Sequence, residues 1–184
     1  MAQRSDLDPA RKTYNLPCVI AQTLDVLGDR WTLLILRDLM AGLQRYNDIL
    51  ESCSGMSPNV LSDRLKRLEA EGLVNRSYFK GLPPRVEYTL TDKGWAVRPV
   101  LLALLDWGRC FAEPLTEDKI GHSVSHDFAM RVIPTFSFRP ETAADLAARM
   151  TVEISDCSDC NTWTLDIHDG HLHPRRHGAP GADV

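Results

Sequence analysis

The chain has 184 residues, of which 43% are hydrophobic, and its formal net charge is −4. This length and composition suit one packed domain with an appendage and exclude an intrinsically disordered chain. No apolar run reaches the roughly 18 residues of a membrane span, and the polar start MAQRSDLDPARKTYN lacks an export signal, so we expect a cytoplasmic protein with no membrane partner.

Three helices are predicted in the first third of the chain. Apolar residues recur at helical spacing over 16–27. Asp29 is placed to cap a second helix over 30–40, and Gly42 follows that helix as a C-terminal glycine. A short third helix is expected over 45–52.

The clearest helix start in the sequence is Ser57-Pro58. Serine accepts a hydrogen bond from the free amides of the first turn, and proline at the first helical position has no amide that needs one. This fourth helix is predicted to end at Gly72. The apolar period then changes from 3.6 to 2, which predicts two strands over 73–80 and 85–90.

A long apolar helix is predicted from residue 92 to about 111, with Thr91 or Asp92 as its cap. Pro99 lies near the middle of this segment, and proline inside a helix removes one backbone hydrogen bond. We therefore expect either a kink at Pro99 or the true start of the helix there.

The C-terminal third differs in charge and is less regular. Residues 1–112 carry a net charge of +2 and residues 113–184 a net charge of −6. Within the acidic segment we predict a short helix over 143–150 and strands over 151–155 and 162–168. The domain prediction is thus a disordered arm at 1–15, one domain at 16–112 and an acidic segment at 113–184.

Two short helices joined by a tight turn, followed by a two-stranded ribbon, predict a winged helix-turn-helix. The fold class is mainly α with a β-wing, followed by a small α+β segment. The exposed face of the fourth helix offers hydrogen-bonding side chains to base edges or phosphates in a major groove, and the ribbon adds two cations. The predicted DNA-binding residues are Ser57, Asn59, Ser62, Asp63, Lys66, Arg67, Lys80 and Arg85.

The alternative interpretation is that these polar residues form an ordinary solvated surface. Residues 45–85 hold seven basic and five acidic side chains, which is only a mild electrostatic excess for a nucleic-acid interface.

Four segments resemble the HxlR family of winged-helix regulators, which is related to the MarR group. They are LDVLGDRWTLLILRDL (24–39), RYNDI (45–49), MSPNVLSDRLKRLEAEGLV (56–74) and PPRVEYTLTDKG (83–94). The resemblance covers about residues 16–111. It implies a homodimer, joined through the first and last helices of the domain, on a pseudo-palindromic double-stranded DNA operator.

Family members commonly carry a cysteine in the first helix, and several use it to sense oxidants or electrophiles. Cys18 lies at that position, so the resemblance makes it a candidate redox sensor. The alternative is that it serves as a small buried hydrophobe. Cys53 and Cys110 are interpreted as structural.

The tail allows two further hypotheses. Cys157 and Cys160, followed by histidines, could bind a metal, but only seven residues separate Cys160 from His168, whereas zinc-finger spacing has about a dozen there, so we predict no metal. Residues 163–171 and 181–184 are similar to part of a sterol-carrier-protein-like domain, which leaves a small-molecule effector open.

The sequence contains no GxSxG, phosphate-cradling glycine loop or His-Glu-x-x-His, so neither an enzyme nor a cofactor is predicted. The leading hypothesis is a transcriptional regulator, acting as a repressor. The alternative is a ligand-binding or protein-interaction module that has lost DNA affinity.

Overall fold

The computed structural model describes residues 13–81, 84–113, 126–138, 145–154, 161–168 and 171–177. The elements within these ranges are, in chain order, α1 (Val19–Leu27), α2 (Thr32–Met40), α3 (Tyr46–Ser52), α4 (Pro58–Ala70), β1 (Val74–Phe79), β2 (Arg85–Leu90), α5 (Asp92–Trp95), α6 (Arg98–Phe111), α7 (His126–Ser137), β3 (Ala148–Ile154), β4 (Asn161–His168) and β5 (His171–His177). The predicted fold class, mainly α with a β-wing and an α+β segment behind it, is confirmed.

The residues predicted to lie at the ends of α2 and α4 are found there. The Asp29 carboxylate accepts hydrogen bonds from the backbone amides of Trp31 (2.9 Å) and Thr32 (3.2 Å) at the start of α2. Gly42 follows α2 with φ +84°, and Gly72 follows α4 with φ +70°, a region that side chains other than glycine rarely adopt. These local features set the lengths of α2 and α4.

One hydrophobic core joins the first four helices to the ribbon and to α6. α4 contributes Leu61, Leu65 and Leu68, which are spaced on one helical face and are all at most 2% exposed. α2 contributes Ile35 and Leu36, which are fully buried. The opposite face of α4 is thereby left to solvent.

The two predicted ribbon strands are confirmed. β1 and β2 pair antiparallel, from Val74 opposite Leu90 to Phe79 opposite Arg85. The ribbon is attached to the segment before α3, because the amide of Tyr88 donates to the carbonyl of Gln44 at 2.8 Å.

Pro99 marks the true start of the long helix α6, and does not kink a longer one. The Thr91 side chain caps the single turn α5, accepting from the amide of Gly94 at 3.1 Å, and Pro99 lies in the first turn of the separate helix α6. A side chain at Gly94 would collide with the Leu73 carbonyl. Glycine therefore lets this turn pack closely against the strand side of the domain.

The C-terminal segment forms an antiparallel sheet in the order β3-β4-β5, with α7 packed on β5. Trp163 of β4 is fully buried, and the Arg131 guanidinium lies 5.0 Å from its ring centroid. The bonds from the Arg98 guanidinium to the carbonyls of Thr135 (3.1 Å) and Phe138 (2.8 Å) fasten α7 to the start of α6. The segment thus packs against the helical domain through α7.

The predicted strands at 151–155 and 162–168 are confirmed over their described residues, within β3 and β4. The helix predicted over 143–150 is wrong, because residues 148–150 are the first of β3. Cross-strand pairing outweighs local helix propensity here, since Arg149 Nε lies 2.5 Å from Asp166 Oδ1 of β4. α7 and β5 are additional to the prediction. Across the described residues, no helix combines the length and apolar character needed to cross a membrane.

Candidate nucleic-acid interface

The N-terminal half of α4 presents its polar face to solvent. Ser57 is exposed, and its hydroxyl accepts a hydrogen bond from the Val60 amide at 3.4 Å. Asn59 is exposed two residues further along, followed by Asp63 and then Lys66. Four of the predicted DNA-binding residues therefore share one solvent-facing surface. An exposed helix with an amide and short hydroxyl near its start suits base-edge contacts in a major groove.

Ser62 has a contact inside the domain. Its hydroxyl lies 3.1 Å from the Tyr46 hydroxyl, which also donates to the Pro58 carbonyl at 2.6 Å. Tyr46 thus fastens α3 to the first turns of α4 and holds the two helices of the helix-turn-helix in one geometry. The sequence analysis predicted the short helix over 45–52 but gave no sign of this bond.

Arg67 does not lie free on the exposed face, contrary to expectation. It is half-buried, and its guanidinium donates to the carbonyl of Asp25 in α1. The Asp63 carboxylate lies 3.6 Å from the Arg64 guanidinium. The helical spacing places residue 67 near the border between the polar face and the core, and the long side chain then reaches the nearest carbonyl.

Arg64, which the sequence analysis did not single out, connects α4 to the start of α2. Its Nε lies 3.3 Å from Asp29 Oδ1, the carboxylate that caps α2. Both side chains are mostly covered, at 23% and 20% exposure. The segment GDRWT therefore has a structural role, because its aspartate ties together α2 and α4.

The ribbon presents charged and aromatic side chains. Lys80 is exposed directly after β1. Arg85 lies with its Nε 3.0 Å from Glu87 Oε1 and its guanidinium 5.0 Å from the Phe79 ring centroid. Arg76 is exposed on β1 and was missed, although an alternating strand pattern could have placed it outward. Lys80 and Arg76 are thus the exposed cations of the described ribbon residues.

Two helices outside this surface expose large apolar side chains. On α1, Val19 is 77% exposed and Ile20 is 72% exposed. On α6, Trp107 is 61% exposed and Phe111 is 71% exposed, and their ring centroids are 5.5 Å apart. These are the first and last helices of the domain, and such patches mark interaction surfaces.

The described cysteines occupy different environments. Cys18 immediately precedes α1 and is exposed in the single chain. Cys53 is buried, and its thiol donates to Asp38 Oδ2 at 3.3 Å. Cys110 lies on α6 and is exposed in the single chain, so its burial does not support the structural role predicted for it. Cys157 and Cys160 lie outside the described residues.

Burial and the neighbouring carboxylate raise the pKa of the Cys53 thiol to about 12. The pKa of Asp38 is raised as well, by its own burial, against the opposing effect of Arg37. Within the described ranges no group of three His, Cys, Asp or Glu side chains is arranged to hold a metal.

Comparison with known proteins identifies the relatives of the N-terminal domain. The family model described as HxlR-like helix-turn-helix matches residues 26–116. The HTH-type transcriptional regulator sll1512 of Synechocystis sp. is 36% identical over 110 residues, which span 60% of this chain and 81% of that protein. The HTH-type transcriptional regulator YvaP of Bacillus subtilis is 41% identical over 93 residues, spanning 50% of this chain and 86% of that protein.

A solved structure agrees with these relatives. The crystal structure of PA1607, described as a candidate transcription factor, matches with a TM-score of 0.51 and 36% identity, covering 56% of this chain and 71% of that one. Residues 26–116, which the family model matches, include three of the four segments that carried the family resemblance and all but the first two residues of the segment 24–39.

Proposed function

This chain belongs to the HxlR-like helix-turn-helix family of transcriptional regulators, and we propose that it binds a specific double-stranded DNA operator as a homodimer and represses transcription. The observation that carries the proposal is the exposed polar face of α4, held by Tyr46 and Arg64 in fixed relation to α3 and α2. A helix locked in this way can enter a major groove without reorganising. The chain acts by occupying DNA and catalyses no reaction.

The proposed contacts divide into base-reading and phosphate-positioning groups. Asn59 and Ser57 lie near the start of α4, where side chains reach base edges. Lys66, Lys80 and Arg76 are exposed cations that would bind phosphates. Arg67 is removed from the proposed contacts, because its guanidinium is used within the domain.

DNA binding is tested by selecting fragments from a genomic library and measuring affinity for the selected operator against salt concentration. Replacing Lys66 by Ala removes one phosphate contact and should flatten the slope of log affinity against log salt by about 0.9. Lys93→Ala is the matched control, since its ammonium binds the Glu71 carbonyl at the far end of α4. If no fragment binds more tightly than bulk DNA, the alternative of a module without DNA affinity replaces this proposal.

Repression is tested separately from binding. A footprint of the protein on the operator should overlap the promoter, and adding protein to an in vitro transcription reaction should lower the transcript yield. An increase in transcript would show an activator on the same site.

The exposed apolar side chains of α1 and α6 support the homodimer. Val19, Ile20, Trp107 and Phe111 are all more than 60% exposed in the single chain, and a second copy would cover them. Light scattering at micromolar concentration should give twice the chain mass, and Trp107→Glu should shift the mass towards the monomer. A monomeric wild-type mass would exclude the homodimer.

Two other expectations stay predictions. Cys18 is accessible for oxidation, which agrees with a redox-sensing role. The similarity of residues 163–171 to a sterol-carrier-protein-like domain remains a hypothesis for the C-terminal sheet.

A further inference from the structure

A cavity of about 230 Å³ lies between α6 and α7, beside the end of α2. Its walls are mainly apolar, with Leu101 and Leu105 from α6 facing Val132 and Phe136 from α7. Ligand sites in proteins are typically apolar clefts with a few polar groups that fix orientation.

The cavity is formed on a different face of α6 from the proposed dimer surface. Leu101, Leu105 and Arg109 follow one another at four-residue spacing and line the cavity, whereas Trp107 and Phe111 lie on the exposed apolar stripe. At 100° per residue the two stripes are about 130° apart around the helix. A second copy of the chain on the apolar stripe would therefore leave the cavity accessible.

The cavity wall contributed by α7 is held in place by polar and apolar contacts with the winged-helix domain. Arg98 donates to the carbonyls of Thr135 and Phe138, at 3.1 Å and 2.8 Å. Phe136, between these two residues, packs against the main hydrophobic core. A ligand would thus meet a preformed site, which lowers the entropic cost of binding.

Both charged residues of the lining are arginines, and they differ in environment. Arg37 is bound to the carboxylate of Asp38, with nitrogen–oxygen distances of 2.8 Å and 2.7 Å. Arg109 is 63% exposed, and its contact with Asp106 is long, at 3.9 Å. Arg109 is therefore the cation with the weaker internal partner, at the rim of an apolar cavity.

We propose that this cavity binds a small apolar monocarboxylate, with its hydrocarbon part between α6 and α7 and its carboxylate on Arg109. A guanidinium matches a carboxylate through two parallel hydrogen bonds. A cavity of roughly 150 Å³ holds benzene, so the larger volume here fits one ring with a short side chain. The C-terminal segment then has a function, because it supplies one wall of an effector site on the regulator.

The test is calorimetric titration of the full chain with 3-phenylpropionate and with its uncharged analogue 3-phenylpropan-1-ol. The carboxylate should bind once per chain, with a dissociation constant on the order of 100 µM for a ligand of this size. The alcohol should bind about tenfold more weakly. Arg109→Gln should reduce carboxylate affinity to that of the alcohol and leave alcohol binding unchanged. The matched control Arg45→Gln, at an exposed arginine outside the cavity lining, should change neither affinity.

Two more variants locate the binding site. Leu105→Trp fills the cavity and should abolish binding of both probes. Ile133→Glu, at a lining position that is 59% exposed, adds a negative charge at the rim and should weaken only the carboxylate. The proposal is overturned if the wild type shows no saturable binding at millimolar probe, if the two probes bind equally, or if Arg109→Gln and Ile133→Glu both leave carboxylate affinity unchanged. Because no DNA enters this test, its failure and a failure of operator binding are distinguished.

Discussion

Replacing Asp29 by Ala tests how the geometry between α2 and α4 is held in this chain. The Asp29 carboxylate accepts from the amides of Trp31 and Thr32 and from the Thr32 hydroxyl, and it also lies 3.3 Å from Arg64 Nε. Thr32 is only 1% exposed, so water cannot replace the lost acceptor.

The expected loss follows from these contacts. Removing a helix cap costs about 1 kcal/mol, and leaving a buried hydroxyl without its acceptor costs a further ~1–3 kcal/mol. Asp29→Ala should therefore lower the free energy of unfolding by about 2–4 kcal/mol. Asp29→Asn keeps one acceptor oxygen and should lose only about 1 kcal/mol.

Urea unfolding followed by circular dichroism measures this directly. With an m-value of about 2 kcal/mol/M, the Asp29→Ala midpoint should fall by about 1–2 M. Asp63→Ala is the matched control, because Asp63 also faces Arg64 but is 72% exposed, and its loss should cost less than about 0.5 kcal/mol. Equal effects of the two substitutions, or an Asp29→Ala midpoint within error of the wild type, would refute the stabilising role of Asp29 at the start of α2.

Three further predictions concern single side chains. Arg67→Ala should lower the free energy of unfolding by about 1–2 kcal/mol, because it breaks the bond to the Asp25 carbonyl; urea titration measures this, and a flattened salt dependence of DNA binding at unchanged stability would contradict it. Cys18→Ser should retain operator affinity but lose any response to peroxide or quinone in a gel shift, whereas an unchanged wild-type response to oxidant would end the redox hypothesis. The Cys53 thiol has its pKa raised to about 12 by burial and by Asp38, so the folded state keeps its proton when the unfolded state loses it. The free energy of unfolding should then fall as pH rises from about 9 towards 12, by up to about 1.4 kcal/mol per pH unit. Urea titration across that range should show a smaller fall for Cys53→Ser. Parallel pH dependences of the wild type and the variant would contradict the raised pKa of Cys53.

Much of the winged-helix domain was predictable because its signals are local. A serine followed by proline, a capping aspartate and glycines at the ends of helices act on the backbone within one turn, so they fix where helices begin and end. The period-2 pattern in the ribbon likewise required no knowledge of distant residues. The long apolar helix predicted up to about residue 111 is α6, which exposes Trp107 and Phe111.

The roles of the long polar side chains were decided by tertiary structure. Arg64 and Arg67 are similar in sequence context to Lys66, yet the two arginines contact Asp29 and Asp25 across the fold, and Lys66 is left in solvent. A guanidinium near the border of a helix face takes whichever acceptor the neighbouring helix provides, and periodicity does not specify that acceptor.

In the C-terminal segment, local sequence patterns predicted even less of the structure. Residues 148–150 join a strand because β4 supplies partners for their backbone groups, and β5, with Pro174 in an edge strand, pairs despite a pattern poor in apolar residues. The sequence by itself determined the DNA-binding architecture, since caps, turns and apolar periods act locally. Only the tertiary structure determined that α7 returns to α6 and forms one wall of a cavity there, because that contact joins residues far apart in the chain through packing that no local pattern encodes.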